Sequence, residues 1–194
     1  MRTVLLSDYA IVSDFRLNEL PNERTIVNTI NAYSWVMADK DPLFRRALLT
    51  GDLLLPDGIA IVWAVRFLLG IKIRKVAGAD LHKAVLDLLE AKRGKCFYLG
   101  ASDSTLNKIR ERLTLEYPHV SVETYSPPYK SVFSEEDNRK MIEAVNTFQP
   151  DVLFVGMTAP KQEKWVLEHA ASLQTHLIGS IGAVFDFYAG VKQR

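Results

Sequence analysis

The sequence predicts an α/β fold, in which one domain carries a parallel β-sheet covered by helices on both faces. Short apolar runs rich in β-branched residues alternate with longer runs whose apolar residues recur at helical spacing. No repeat, low-complexity tract or linker interrupts the 194 residues, which are enough for one hydrophobic core. Because successive parallel strands need crossover helices, this alternation favours a right-handed parallel sheet.

Composition narrows the function classes. The formal net charge is +1, which gives no basic footprint for nucleic acid. The only cysteine, Cys96, stands in an apolar strand pattern, so we expect a core filler of a cytoplasmic protein rather than a nucleophile. The most apolar stretch, residues 59–71, contains Arg66 and is shorter than the ~20 residues of a membrane span. We therefore expect a protein that is soluble or peripheral to a membrane.

Strands and helices are predicted in alternation. The first twenty residues contain a short strand or hairpin, and residues 71–76 form a strand or an extended loop. Further strands are predicted at 24–30, 53–55, 96–99, 120–125, 151–156 and 176–181. Helices are predicted at 34–40, 42–51, 59–69, 81–94, 104–117, 135–148 and 160–173. Asp41-Pro42 supplies an N-cap and a first-turn proline, and Ser134 with Asp137 resembles a capping box.

The stretch 53–64, LLLPDGIAIVWA, is the one around which the rest of the predicted fold is arranged. A buried strand stops at Pro56, Asp57-Gly58 makes a tight turn, and a helix follows. A strand, turn and helix in this order place a polar side chain in the crevice at the carboxyl ends of the strands. Asp57 is therefore a candidate general base, the alternative being an Asx-turn cap.

Three predicted strand-to-helix turns consist of small residues, at 100–102, 156–160 and 179–182. Such turns can present backbone N–H groups to a phosphate, which makes Gly100 a candidate binding residue. None matches G-x-G-x-x-G or the Walker A pattern, and ordinary packing of helix on strand explains any one of them. Together they favour a nucleotide or diphosphate ligand.

Other polar residues fall at predicted strand and helix ends. Thr29 and Asn31 close the strand at 24–30, and Lys75 either balances phosphate charge or belongs to a solvated basic edge. Lys161 and Gln162 begin a helix, where they either project toward the crevice or are solvated. Asp186, between two phenylalanines, is expected to be buried as a site residue or as a support for loops. The four histidines are scattered without metal-ligand spacing.

Several blocks of the sequence, taken together, resemble the WecG/TagA/CpsF family of bacterial glycosyltransferases. They are LLLPDGIAIVWA, KVAGADL, CFYLGAS, PDVLFVGMTAPKQEKW and IGSIGAVFDFYAG, in family order from about residue 25 to residue 194. The resemblance implies a Rossmann-like single domain that moves an N-acetylmannosamine-type sugar from a UDP-sugar to an undecaprenyl-diphosphate-linked saccharide. This reaction serves cell-surface polysaccharide or teichoic acid synthesis, and it inverts the anomeric centre without a metal or other cofactor.

The resemblance also implies residue roles. Asp57 matches the family's proposed catalytic base, and Thr29 and Gln162 match substrate-contacting residues. Lys75 stands where many members have arginine, which keeps the positive charge but loses a bidentate fork. With the candidates from the residues themselves, the predicted substrate-binding set is Thr29, Asn31, Lys75, Gly100, Lys161, Gln162 and Asp186.

The sequence departs from the family pattern in two places. Ala32 replaces a proline that relatives often have beside the strand end. Relatives also continue beyond the position of Arg194 with a basic amphipathic segment that supplies arginines and touches the inner face of the membrane. We therefore expect residues 1–194 to fold, to transfer little sugar, to bind membranes weakly or not at all, and to associate into homo-oligomers through the surface that such a segment covers.

Two other classes of protein stay open on the residues alone. One is a non-catalytic nucleotide-binding module with the same fold, and the other is a nicotinamide-dependent oxidoreductase. Binding of UDP with slow hydrolysis of a UDP-sugar would favour the transferase. Binding of NAD or of a mononucleotide without preference for UDP would favour the alternatives.

Overall fold

Eight strands form one sheet in residues 1–192, the part of the chain that the computed structural model describes. The strands are β1 (Arg2–Leu6), β2 (Tyr9–Asp14), β3 (Thr25–Ile30), β4 (Leu53–Pro56), β5 (Lys95–Gly100), β6 (Ser121–Tyr125), β7 (Val152–Gly156) and β8 (Leu177–Ser180). Their order across the sheet is β1-β2-β4-β3-β8-β7-β5-β6. The α/β prediction is confirmed.

Helices connect most of these strands. They are α1 (Ala32–Lys40), α2 (Pro42–Thr50), α3 (Ile59–Leu69), α4 (Gly78–Lys92), α5 (Asp103–Glu116), α6 (Glu135–Phe148), α7 (Lys161–His169) and α8 (Val184–Tyr188), with a 3-10 turn at Ala170–Ser172. The predicted caps are present, since Asp41 accepts from the Phe44 N–H and Ser134 with Asp137 forms a reciprocal capping box.

The sheet is parallel except at one edge. β1 and β2 form an antiparallel hairpin, and β2 then joins the parallel strands through β4. The chain crosses from β4 to β5 past β3, β8 and β7, so β3 and β8 are neighbours that come from opposite halves of the sequence. In open α/β sheets, ligands bind where the strand order reverses in this way.

The structure decides one open alternative and corrects one helix boundary. Residues 71–76 are an extended loop, the second of the two predicted conformations, and the Val76 N–H donates to the Pro56 carbonyl at 3.0 Å. The helix predicted at 160–173 ends at His169 and continues only as the 3-10 turn. The corrected boundary lies at the end of a helix, where local signals are weakest.

The core has one layer on each face of the sheet. β5 shows how two-residue periodicity divides it, because Cys96 and Tyr98 pack with α4 and α5 while Phe97 and Leu99 pack with α6 and α7. Burial raises the pKa of the Cys96 thiol, which fits a core filler. A third apolar cluster joins the hairpin edge to α1, α2 and α3.

Candidate active site

A crevice of about 510 Å³ opens at the carboxyl ends of five strands. Each of the five contributes at least one residue at or just beyond its end: Thr29 and Asn31 for β3, Asp57 for β4, Ala101 for β5, Met157 for β7 and Gly182 for β8. The crevice therefore lies at the boundary between β3 and β8. This is the position that the topology favours for a ligand.

Asp57 sits in the turn between β4 and α3, half-buried at the wall of the crevice. Its backbone N–H donates to the Ile30 carbonyl at 2.9 Å, which ties the turn to the end of β3. Its Oδ2 accepts from the Gly78 N–H, 3.4 Å away at the start of α4. The N-cap of α3 is Gly58, without a side-chain cap bond. The carboxylate thus faces α4 across the crevice rather than capping its own turn.

Asn31 and Thr29 lie at the end of β3, beside Asp57. The Asn31 Oδ1 accepts from the Ser34 N–H at 2.9 Å and so caps α1. Asn31 therefore has a structural role in addition to any contact with a ligand. Thr29 pairs with Leu55 in the neighbouring strand and is half-buried in the crevice wall.

Gln162 and Glu163 form a buried polar pair in the first turn of α7. The Gln162 Oε1 accepts from the Met157 N–H at 3.2 Å, and its Nε2 donates to the Glu163 Oε1 at 2.8 Å. Glu163 is only 3% exposed, and burial raises the pKa of its carboxyl. Its other oxygen, Oε2, has no hydrogen-bond partner within residues 1–192. The sequence reasoning missed Glu163, although it belongs to the block APKQE.

Asp186 and two lysines give the crevice its charge. Asp186 is half-buried rather than buried, and its Oδ2 accepts from the Lys192 Nζ at 2.6 Å. Lys192 was not predicted, because nothing local in the sequence distinguishes a lysine that follows a five-residue helix. Lys75 lines the crevice from the exposed loop before α4. The structure thus brings together Thr29, Asn31, Asp57, Lys75, Gln162 and Asp186.

Lys161 points out of this crevice into a neighbouring cavity of about 770 Å³. Its Nζ donates to the Lys130 carbonyl and lies 3.5 Å from the centroid of the Phe133 ring. Burial lowers the pKa of this amine. Of the two residues expected to project from this turn into the crevice, Gln162 does so and Lys161 does not, because consecutive helical residues point about 100° apart.

Gly100 is not part of the crevice wall, since it ends β5 beneath it. A Cβ on Gly100 would lie 2.3 Å from the Gly156 carbonyl oxygen, so close packing of two strand ends accounts for this glycine. The small-residue turns also bond to one another. The Ala101 N–H donates to the Gly156 carbonyl at 3.1 Å, and the Ile181 N–H donates to the Val155 carbonyl at 3.1 Å. These amides are engaged within the fold.

Within residues 1–192, no group of three or more His, Cys, Asp or Glu side chains is arranged to hold a metal ion. An Asp-x-Asp sequence does occur at residues 39–41, at the junction of α1 and α2. Its Asp41 caps α2 and forms an ion pair with Lys164, outside the crevice.

Within residues 1–192, no helix is long and apolar enough to cross a membrane.

Comparison with known proteins gives a consistent set of relatives. The sequence model of the "Glycosyl transferase WecG/TagA/CpsF family" matches residues 10–194. An N-acetylglucosaminyldiphosphoundecaprenol N-acetyl-beta-D-mannosaminyltransferase of Bacillus spizizenii is 26% identical over 89% of this chain and 65% of its own length. Proteins of the same name from Bacillus subtilis and Staphylococcus aureus are 25% and 23% identical.

The extent of these matches differs between the relatives. The Bacillus subtilis match covers 87% of this chain and 64% of the relative, and the Staphylococcus aureus match covers 99% and 73%. The chain therefore spans somewhat less than two thirds of the length of its Bacillus relatives.

Proposed function

Because the chain belongs to the WecG/TagA/CpsF family of glycosyl transferases, we propose that it moves a sugar from a UDP-sugar to an undecaprenyl-diphosphate-linked saccharide. The names of the relatives support an N-acetylmannosamine-type sugar and an N-acetylglucosamine-diphosphate acceptor. The structural observation that carries the proposal is the convergence of Thr29, Asp57 and Gln162 on one crevice. Among these three, Asp57 alone can act as a base.

In the proposed reaction Asp57 takes the proton from an acceptor hydroxyl. The hydroxyl oxygen attacks the anomeric carbon from the face opposite the UDP group, and the bond to UDP breaks in the same displacement. A single displacement inverts the anomeric centre and needs one base. The Gly78 N–H bond to the carboxylate keeps that base directed into the crevice.

The departing diphosphate needs positive charge to balance it. Lys75 lines the crevice and is exposed, so its ammonium group can reach a ligand there. α4, fifteen residues long, begins at Gly78 in the crevice wall and directs the positive end of its dipole toward it. Lys192 is a further source of charge if a ligand displaces it from Asp186.

The direct test is a panel of UDP-sugars with a lipid-linked N-acetylglucosamine-diphosphate acceptor. We expect slow but detectable transfer from UDP-N-acetylmannosamine with inversion, read by mass and by the anomeric coupling of the product. NAD serves as the control ligand, because preference for NAD over UDP would indicate an oxidoreductase. Absence of transfer from every donor, together with tight binding of UDP, would instead support a non-catalytic nucleotide-binding module.

We also expect transfer to proceed without a divalent metal, since the proposal assigns the diphosphate charge to Lys75 and to α4. Treatment with EDTA should leave the rate unchanged. A matched assay with Mg²⁺ or Mn²⁺ added back after EDTA is the control. Loss of activity in EDTA and its recovery with either metal would contradict this part of the proposal.

A further inference from the structure

α3 (Ile59–Leu69) is apolar on nearly all sides, yet only one side of it is covered. Ile61 and Val65 are buried in the cluster under the hairpin edge. Trp63, Phe67 and Leu68 are 57%, 81% and 74% exposed. A helix that is apolar all round is normally buried in protein or lipid. The exposed side of α3 therefore needs a partner that the rest of residues 1–192 does not supply.

The exposed surface continues past the end of α3. Six of the sixteen large exposed apolar side chains in the described chain fall between residues 59 and 71, and no other stretch of that length holds as many. They are Ile59, Trp63, Phe67, Leu68, Leu69 and Ile71. We call these six residues the α3 face. Clustering on this scale distinguishes a contact surface from scattered surface residues.

Positive charge borders the α3 face at the C-terminal end of α3 and in the loop that follows it. Arg66, Lys72, Arg74 and Lys75 are exposed, and the sequence from 59 to 79 contains no acidic residue. Within residues 1–192 none of the four forms a salt bridge, so their charge is not neutralised locally. Apolar side chains with a tryptophan, bordered by lysine and arginine, are typical of a helix that lies in the interface of an anionic bilayer.

The charge also discriminates between two occupants. If a second copy of the chain covered the α3 face symmetrically, the same cations would meet across the interface and repel one another. An anionic lipid surface complements both the apolar side chains and the cations. With eleven residues, about 16 Å of helix, α3 suits a position along the membrane surface rather than across it.

The α3 face also adjoins the crevice along the chain. Asp57 precedes α3 by two residues, and the loop that follows α3 returns to the crevice at Lys75. We propose that the α3 face binds the surface of an anionic phospholipid bilayer and holds the mouth of the crevice at the lipid headgroups. Within the proposed function this is where a lipid-linked acceptor would enter, and the preference for lipid over other partners rests partly on that function.

Vesicle flotation of the full chain tests the inference without any substrate. We expect binding to phosphatidylcholine vesicles that contain phosphatidylglycerol, weaker binding at high salt, and little binding to phosphatidylcholine alone. The double variant Phe67→Ser/Leu68→Ser should bind about 100-fold more weakly, or more weakly still, given the transfer energies of two large apolar side chains. Its matched control is Leu115→Ser/Val132→Ser, two side chains of similar exposure on other elements.

The charge requirement has its own variants. Lys72→Gln/Arg74→Gln should weaken binding to anionic vesicles by about 10- to 30-fold. Lys92→Gln/Lys108→Gln, which removes exposed lysines from α4 and α5, should bind like the unmodified chain. All these positions are exposed, so thermal melting should be unchanged. This pair also keeps the inference testable if the apolar variant fails to fold.

Three outcomes would overturn the inference. In the first, the unmodified chain does not bind anionic vesicles. In the second, the control variants lose as much binding as the α3 variants. In the third, Phe67→Ser/Leu68→Ser converts a dimer to a monomer and leaves vesicle binding unchanged, so the face joins two copies. Because flotation uses neither donor nor acceptor, failure of sugar transfer with the expected vesicle binding would reject the proposed function alone.

Discussion

Asp57 is held differently from Asp186, the other aspartate that lines the crevice. Asp186 pairs with Lys192. In the described chain no lysine, arginine or histidine nitrogen lies within salt-bridge distance of Asp57, whose carboxylate accepts only from a backbone N–H. A carboxylate without a counter-ion keeps its lone pairs for a substrate hydroxyl, which is what a general base needs.

The first residue-scale prediction concerns that base. Asp57→Asn should keep the fold and the affinity for UDP-sugar, while the transfer rate falls by ~10²–10⁴, as expected for removal of a general base. Circular dichroism, calorimetric binding of the donor and the transfer assay are the measurements. Asp14→Asn, an exposed aspartate on β2, is the control. Transfer by Asp57→Asn at the unmodified rate would exclude Asp57 as the base.

The second residue-scale prediction concerns Glu163. Burial raises the pKa of its carboxyl in the folded state. Below the ordinary pKa of glutamate, the Glu163 carboxyl is neutral in both the folded and the unfolded state. As the pH rises through the folded-state pKa, the carboxyl ionises more readily in the unfolded state, so the folded state loses stability. Glu163→Gln keeps the acceptor for Gln162 and cannot ionise. We expect the variant to gain stability relative to the unmodified chain as the pH rises above about 4.5, the ordinary pKa of glutamate.

Urea denaturation at several pH values measures this difference. Glu143→Gln, a glutamate on α6 outside the crevice, controls for the general effect of removing one carboxylate. If the difference in stability between Glu163→Gln and the unmodified chain does not change with pH, burial does not raise the pKa of the Glu163 carboxyl.

Residue-scale prediction from sequence succeeded where strand ends decide position. Thr29, Asp57 and Gln162 reach one crevice because the carboxyl ends of parallel strands meet at one edge of the sheet. It failed for Lys161, and it gave no expectation for Lys192, because the positions of these lysines depend on side-chain direction and on a contact with Asp186. No spacing in the sequence records either. The roles of all these residues in binding or catalysis stay predictions.

At the scale of elements, the end of β7 packs against α8 with no room for a side chain. A Cβ on Gly156 would lie 2.4 Å from the Phe185 ring. A Cβ on Gly179 of β8 would make only ordinary contacts, at 3.4 Å. Both glycines lie in central strands, but only Gly156 is required by a close neighbour, since the space around Gly179 would accept a methyl group.

This difference gives an element-scale prediction. Gly156→Ala should destabilise the fold by ~1–3 kcal/mol, the usual cost of overpacking, and should displace α8 with the Asp186 that it carries. Gly179→Ala, the matched control, should cost much less. Urea denaturation measures the stability, and the affinity for UDP-sugar reports on the position of α8. Equal stability of the two variants would show that Phe185 moves aside freely.

Elements were predictable where capping and periodicity agree. α3 and α6 have the bounds that the sequence predicts, because a glycine turn and a capping box mark their starts. The loop at 71–76 has β-branched residues, but its contact with β4 is the bond from the Val76 N–H to the Pro56 carbonyl, which is too little pairing to make a strand. Pairing partners of this kind are long-range, and no local pattern contains them.

At the scale of the whole molecule, strand order was the least predictable feature. Alternating strands and helices indicate a parallel sheet, but they do not say that the first hairpin lies at one edge or that β8 enters the middle. The position of β8 decides where the crevice lies, since β3 and β7 flank it on either side. The strand order therefore brings several similar turns together to form one site.

The central position of β8 has a consequence for the order of events during synthesis. Thr25 pairs with Leu177, so β3 can pair with β8 only after about 150 further residues have left the ribosome. Until then the edges of β3 and β7 expose unpaired backbone groups, which are targets for chaperones and for aggregation. We expect a nascent chain stalled before residue 177 to stay protease-sensitive and unable to retain UDP, and the emergence of β8 from the ribosome to reverse both properties together.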